Sequence, residues 1–276
     1  MSNFDEPKDK DPSEVNVLEY PREYFDVQVA FAAKAALLTG ISLEESLRQN
    51  TALFRRVTGD KNVDNSNAIW DSAIYFGDLC QTLWDAYTKR PDSNYEAHVA
   101  EYSELNPDTR KFITCSYDIW KVVNPDGSFD KSIKIHFLPS ARGEIGPFQE
   151  DYLAERVRNF QLMFEHITKN HPDAKWVESV SWLNNTRGYL SQFPKSFEES
   201  LFDVENPGLR GNSIWGQFVD RYGFANQQRV QNFLEKLYKI NRDSTWEDLM
   251  DCFPKKVRRA KVAIEDFYNH FGIEVQ

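Results

Sequence analysis

The residues best placed to do chemistry lie between positions 136 and 151, in the run HFLPSARGEIGPFQED. It joins the end of a strand pattern to the start of a helix pattern. Glycines let backbone approach a ligand closely, and a helix N-terminus offers free N–H groups with a partial positive charge. That combination suits a pyrophosphate. Gly143 and Gly146 would let the backbone lie against the phosphates, and Arg142 would add a bidentate contact. The run also reads as a plain connecting loop. Glu144, Glu150 and Asp151 complement the helix dipole with no ligand at all, and they oppose an anion.

Other chemistries find less footing. No GxxxxGK[ST], HExxH, GxSxG or EF-hand pattern occurs in the sequence. The histidines His98, His136, His166, His171 and His270 include no pair three or four residues apart, so no helix-borne metal site is expected. Cys80, Cys115 and Cys252 are scattered and form no CxxC, which fits buried thiols in a reducing cytoplasm. A net charge of −10 argues against bulk nucleic-acid binding, which needs cations against phosphate. The local exception, KKVRRAK at 255–261, is expected to be a solvated helix face. No apolar run reaches the roughly 20 residues that span a bilayer, and the first residues lack the basic-then-apolar order of a signal peptide. A cytoplasmic protein without membrane partners is expected.

The elements that must hold such a site follow from hydrophobic spacing. Residues 1–19 are acidic and polar and are expected to form a disordered tail. Three amphipathic helices follow, and 20–105 is read as a helical subdomain. The first carries Tyr24, Val27, Phe31, Ala35 and Leu38 and closes at Gly40; the second opens on Ser42; the third covers Ala68 to Lys89. Near residue 110 the period changes to two. Cys115, Tyr117 and Ile119, then Ile133, Ile135 and Phe137, flank the turn NPDG at 124–127 and predict an antiparallel hairpin. A helix from Gln149 to Asn170 and a strand in AKWVESVSWLNN come next. Strand, long helix and strand make a crossover that sets the last strand parallel to the one before the helix. Residues 106–276 are therefore read as an α+β domain, a mixed sheet with packed helices. It is completed by a helix capped by Asn226, another opened by Ser244 and Glu247, and a last helix carrying Val257, Ile264, Phe267 and Phe271.

The order of these pieces resembles the GNAT acyltransferase superfamily over about residues 110–223. There a strand runs into a phosphate-facing loop and a helix, then a strand is followed by Asn and a Tyr-bearing segment. HFLP and SWLN also resemble the HxP-type and SWLL-type segments of a bacterial acyltransferase-like family of uncharacterised members. The superfamily loop is [QR]xxGx[GA]. From Arg142 this chain reads RGEIGP, with glycine one position late and proline where a small residue is expected. The resemblance implies a GNAT-like core that binds coenzyme A or an acyl-CoA. Ser140, Arg142, Gly143 and Gly146 would hold the pyrophosphate, and Tyr189 would be the acid that protonates the departing thiolate.

Acyl transfer to an amine also needs a base near the thioester. His136 suits it, with an intrinsic pKa near neutrality and a strand position alternating away from Ile133, Ile135 and Phe137. Trp182, Asn184 and Trp215 are expected to line a substrate or acyl pocket, with core packing the alternative for the tryptophans. The pocket is expected between the end of the 132–138 strand and the start of the 174–183 strand. The competing reading is a non-catalytic interaction or regulatory protein on an acyltransferase-like fold, with its helical N-terminal third as a surface for a protein partner.

Overall fold

The computed structural model describes residues 16–75, 78–97, 111–112, 114–137 and 148–275. Among the described residues the chain opens with the helices α1 (Arg22–Thr39), α2 (Leu43–Asn50), α3 (Leu53–Thr58), α4 (Ala68–Tyr75) and α5 (Leu79–Thr88). Gly40 ends α1 in the left-handed region at φ +75°, its N–H donating to the Ala36 carbonyl at 2.9 Å. Ser42 caps α2 by accepting from the Glu45 N–H at 3.1 Å. The single helix expected over Ala68 to Lys89 is two, and Asp78 caps the second by accepting from the Gln81 N–H at 3.2 Å. Residues 16–19, expected within a tail, are held down: the Asn16 N–H donates to Tyr222 O at 3.1 Å and the Glu19 N–H to Ser93 O at 2.7 Å.

The strands are β1 (Lys111–Phe112), β2 (Cys115–Val123), β3 (Phe129–Phe137), β4 (Ala174–Ser181), β5 (Phe202–Asp203) and β6 (Arg258–Ala263). They form one mixed sheet in the order β1-β2-β3-β4-β6-β5. β2 and β3 make the expected hairpin, closed by Gly127 at φ +82°. The helix α6 (Leu153–Asn170) crosses over, and β4 lies parallel to β3. After β4 come α7 (Arg187–Leu190), α8 (Lys195–Glu199), α9 (Asn212–Trp215), α10 (Gln227–Lys239), α11 (Trp246–Met250) and α12 (Ile264–Phe271). Asn226 caps α10 as expected, but α11 is opened by a capping box of Thr245 and Asp248, one residue later than the pair expected.

The largest departure is β6. Residues 255–263 were expected at the start of the last helix, with KKVRRAK on its solvated face; they hold a strand paired antiparallel with β4. The spacing of Val257, Ile264, Phe267 and Phe271 imitates a helical stripe. The strand signal is only Ala260 and Val262 facing in, alternating with Arg259 and Lys261.

Two apolar cores divide the chain, and they do not follow a cut at residue 106. One joins α1–α5 to Leu209, Trp215, Phe218, Phe233 and Phe253, far along the chain. Phe31 of α1 meets Trp215 edge-on at 5.4 Å and Phe253 at 5.3 Å between ring centroids. The other core lies on one face of the sheet. Ile133, Ile135, Val177, Ala260 and Val262 pack there under Phe160, Met163, Phe164 and Ile167 of α6 and Phe267 and Phe271 of α12. Among the described residues no single helix is long and apolar enough to cross a membrane; α1 and α2 together pass on length and composition but meet at a bend of 114°.

Candidate functional site

The parallel pair opens at one end. Ladder partners between β3 and β4 run to Lys134 opposite Glu178 and stop there, although β3 continues to Phe137 and β4 to Ser181. Since the strands are parallel, the end of β3 and the start of β4 lie at opposite ends of the sheet. The opening is therefore at the C-terminal ends of both strands, which corrects the expected place of the pocket. Loops and helix N-termini gather at such an end.

On the face away from α6, the pleat brings Asp118, Trp120, Ser132, Lys134, His136, Trp176, Glu178, Arg259 and Lys261 together. His136 Nε2 lies 2.9 Å from Asp118 Oδ2, a diagonal cross-strand contact set by the hairpin register. Burial holds the His136 imidazole below its ordinary pKa, against the pull of Asp118. Neutral near pH 7 and oriented through Nε2, the ring leaves Nδ1 to accept a proton. Lys134 Nζ sits 3.8 Å from the centre of the Trp120 ring, and burial lowers its pKa. At the centre of the face, Glu178 is 3% exposed. It accepts from Ser132 Oγ at 2.9 Å and pairs with Arg259, with Lys261 Nζ at 3.8 Å.

On the opposite face, at the same end of the strands, Tyr189 is buried. Its hydroxyl lies 3.4 Å from Ser179 Oγ, and its ring meets Phe137 at 6.0 Å and Phe148 at 5.9 Å. Burial pushes the Tyr189 pKa up to about 12, so it carries its proton at neutral pH. Asn184 is fully buried and structural: its Nδ2 donates to the Arg258 carbonyl at 2.8 Å and ties the turn after β4 to β6. Trp182 lies past the end of β4, flanked by Arg229 at 5.5 Å and Lys255 at 5.4 Å from its ring centre. Trp215 is a core residue whose indole N–H donates to Leu209 O at 2.6 Å. Of the three residues expected to line a pocket, Asn184 borders a cavity of about 610 Å³ with Arg187, Glu198 and Arg258, while Trp182 and Trp215 make the contacts just described. His136 and Tyr189 flank the opening from its two faces.

Beside this opening is a cavity of about 210 Å³ lined by Phe148, Glu150, Arg156, Gly188, Ser191 and Gln192, among others. Gly188 allows the 148 segment to lie close, since a Cβ there would sit 2.9 Å from Phe148 Cβ. Arg156, in the first turns of α6, is 2% exposed. Its guanidinium carbon lies 4.4 Å from the Phe137 ring centre and 5.5 Å from that of Phe148. Its buried Nε and Nη1 have no hydrogen-bond partner among the described residues. Burial pulls its pKa down to about 10, still well above neutrality, so the group is a buried cation. Gln192, also 2% exposed, donates through Nε2 to the Gly188 carbonyl at 2.9 Å, while its buried Oε1 has no partner among the described residues.

Arg156 was legible as an anomaly, a cation four residues before Phe160 on the inward stripe of α6. Gln192 gave no such signal. Ser140, Arg142, Gly143 and Gly146 lie outside the described residues. Among the described residues no group of three His, Cys, Asp or Glu side chains is gathered to hold a metal ion. Compared with known proteins, the chain matches no family model, no curated protein and no solved structure.

Proposed function

We propose that the protein is an acyl-CoA-dependent acyltransferase with a GNAT-like core, working at the open end of β3 and β4. The observation that carries this reading is the ladder that ends at Lys134 and Glu178 while both strands run on. A parted parallel pair leaves main-chain groups and a slot for an extended pantetheine arm. The α6 N-terminus and the Ser140–Gly146 segment would meet the pyrophosphate. His136 Nδ1 would take the proton from the acceptor amine as its nitrogen attacks the thioester carbonyl. The C–N bond forms, the C–S bond breaks, and the Tyr189 hydroxyl would protonate the leaving thiolate. The buried Arg156 cation nearby favours the tyrosinate that this leaves behind.

The second reading is a protein that binds the thioester without turning it over. It is favoured by the full burial of Tyr189 and its contact with Ser179. Release of free thiol from acetyl-CoA in the presence of an amine panel separates the two. The first reading expects turnover that falls at least tenfold in Tyr189→Phe and in His136→Asn with little change in CoA affinity. Binding without thiol release leaves the second, and no binding at millimolar CoA removes both.

A further inference from the structure

We infer that Lys255 and Arg229, set against the Trp182 indole, form a binding site for a dianionic phosphate, free or carried as a monoester on a larger molecule. Lys255 opens the basic run KKVRRAK at 255–261, which the fold makes into a loop and the strand β6. The other cations of that run have carboxylate partners. Lys256 lies 3.3 Å from Asp251, Arg258 3.4 Å from Asp203 and Lys261 3.8 Å from Glu178, and Arg259 pairs with Glu178. Lys255 differs: among the described residues no carboxylate lies within ion-pair distance of it, and the charge that acts on it is a second cation, Arg229.

Both cations are half-buried, 5.4 and 5.5 Å from the centre of the same Trp182 ring. Burial, and then Arg229, hold the Lys255 ammonium below its ordinary pKa, so its surroundings oppose the charge and an anion beside it would favour it. One fully buried residue fixes the pair. Gln217 O accepts from Arg229 Nη1 at 2.8 Å, and Gln217 Oε1 accepts from the Lys255 main-chain N–H at 2.9 Å. The hydrogen-bonding groups select the ligand. Lys255 Nζ can only donate, and it gives one hydrogen to Thr186 Oγ1 at 3.3 Å. That hydroxyl, already accepting, has its own hydrogen to give. The ligand therefore accepts hydrogen bonds, and two neighbouring cations attract a dianion more strongly than a monoanion at the same distance. A phosphate monoester meets both demands, with about −1.5 to −2 charges near pH 7 and three strong acceptor oxygens. A carboxylate meets only the first. Binding here does not rest on the acyltransferase reading.

The test titrates the full chain with inorganic phosphate, sulfate, glycerol 3-phosphate and acetate at constant ionic strength, with sodium chloride as the baseline. Calorimetry and thermal melting read the response. Phosphate and sulfate should bind saturably and at least tenfold more tightly than acetate. Glycerol 3-phosphate binding more tightly than phosphate assigns the site to an ester, and weaker binding assigns it to the free ion. Lys255→Met should weaken phosphate about tenfold or more, and Thr186→Val about threefold. Lys256→Met, whose charge is already paired with Asp251, should bind as wild type does. Lys255→Arg keeps the charge and should stay within about fivefold of wild type, which separates loss of the cation from loss of the fold. Phosphate with no effect on wild type beyond that of chloride would overturn the inference. So would acetate binding as tightly as phosphate, or Lys256→Met weakening phosphate as much as Lys255→Met. Coenzyme A enters none of these titrations, so the two proposals can fail independently.

Discussion

His136 shows how much one side chain depends on its strand register. The β2–β3 pairing sets Asp118 opposite Lys134 and so diagonal to His136. Burial keeps the folded imidazole easier to deprotonate than in the unfolded chain. The unfolded state therefore binds more protons at mildly acid pH, and stability falls as the pH drops below about 6.5 toward the lower folded value. His136→Gln should flatten that part of a plot of melting temperature against pH, and an unchanged acid limb would mean that His136 titrates normally. Asp118→Asn should lower the His136 pKa further, because it removes the one neighbour that favours the charged ring; a histidine titration by NMR reads this directly. At Gly188, a methyl group would meet Phe148 at 2.9 Å. Gly188→Ala is expected to cost about 1–3 kcal/mol by overpacking, measured by chemical denaturation.

At the scale of elements, the hairpin and the crossover were readable because their patterns are local. NPDG closes a pair of period-two runs, and the stripe on α6 repeats every three to four residues. β6 was not readable, for it has six residues, two of them inward and small to medium. What makes it a strand is β4 beside it, 80 residues earlier in the chain. The polar constellation around Glu178 was hidden for the same reason, since Arg259 and Lys261 reach it only from β6. The ladder opening was invisible too, because it is a property of two strands and not of either sequence. The core under the sheet is firmer ground. Phe164 is fully buried and lies 4.9 Å from Phe267 and 5.6 Å from Phe271 between ring centroids. Phe160 stacks on Phe271 at 5.7 Å. Phe160→Ala or Phe164→Ala should cost about 3–5 kcal/mol through lost burial and the cavity left behind. A loss below about 1 kcal/mol in urea unfolding would show that α6 packs by another face.

Across the whole molecule, the chain leaves its helical part, builds most of the sheet, returns to the first core, and finishes in the second. Trp215, Phe218, Phe233 and Phe253 complete the core that α1–α5 begin, while β6 and α12 complete the sheet layer. The returning segments cross between the layers, so the two cores are expected to fold together. A fragment of residues 20–105 should fail to give a cooperative thermal transition by circular dichroism, and a sharp transition would show that its helices need no partner. The opening of β3 and β4 gains its fixed shape from this arrangement, with Asn184 bonded to β6 and the α6 N-terminus at the same end.

The central claim, that this opening accepts a coenzyme A thioester, is tested most directly by calorimetric titration of CoA into wild type, Gly143→Val and Gly146→Val, with the melting temperature of each recorded. The account predicts saturable binding to wild type and at least tenfold weaker binding to both variants, since glycine lets backbone approach a ligand more closely than valine does. A ligand at about 100 times its dissociation constant should also stabilise the wild type by about 2.7 kcal/mol. No heat of binding to wild type at millimolar CoA, or valine variants that bind as wild type does, would contradict it.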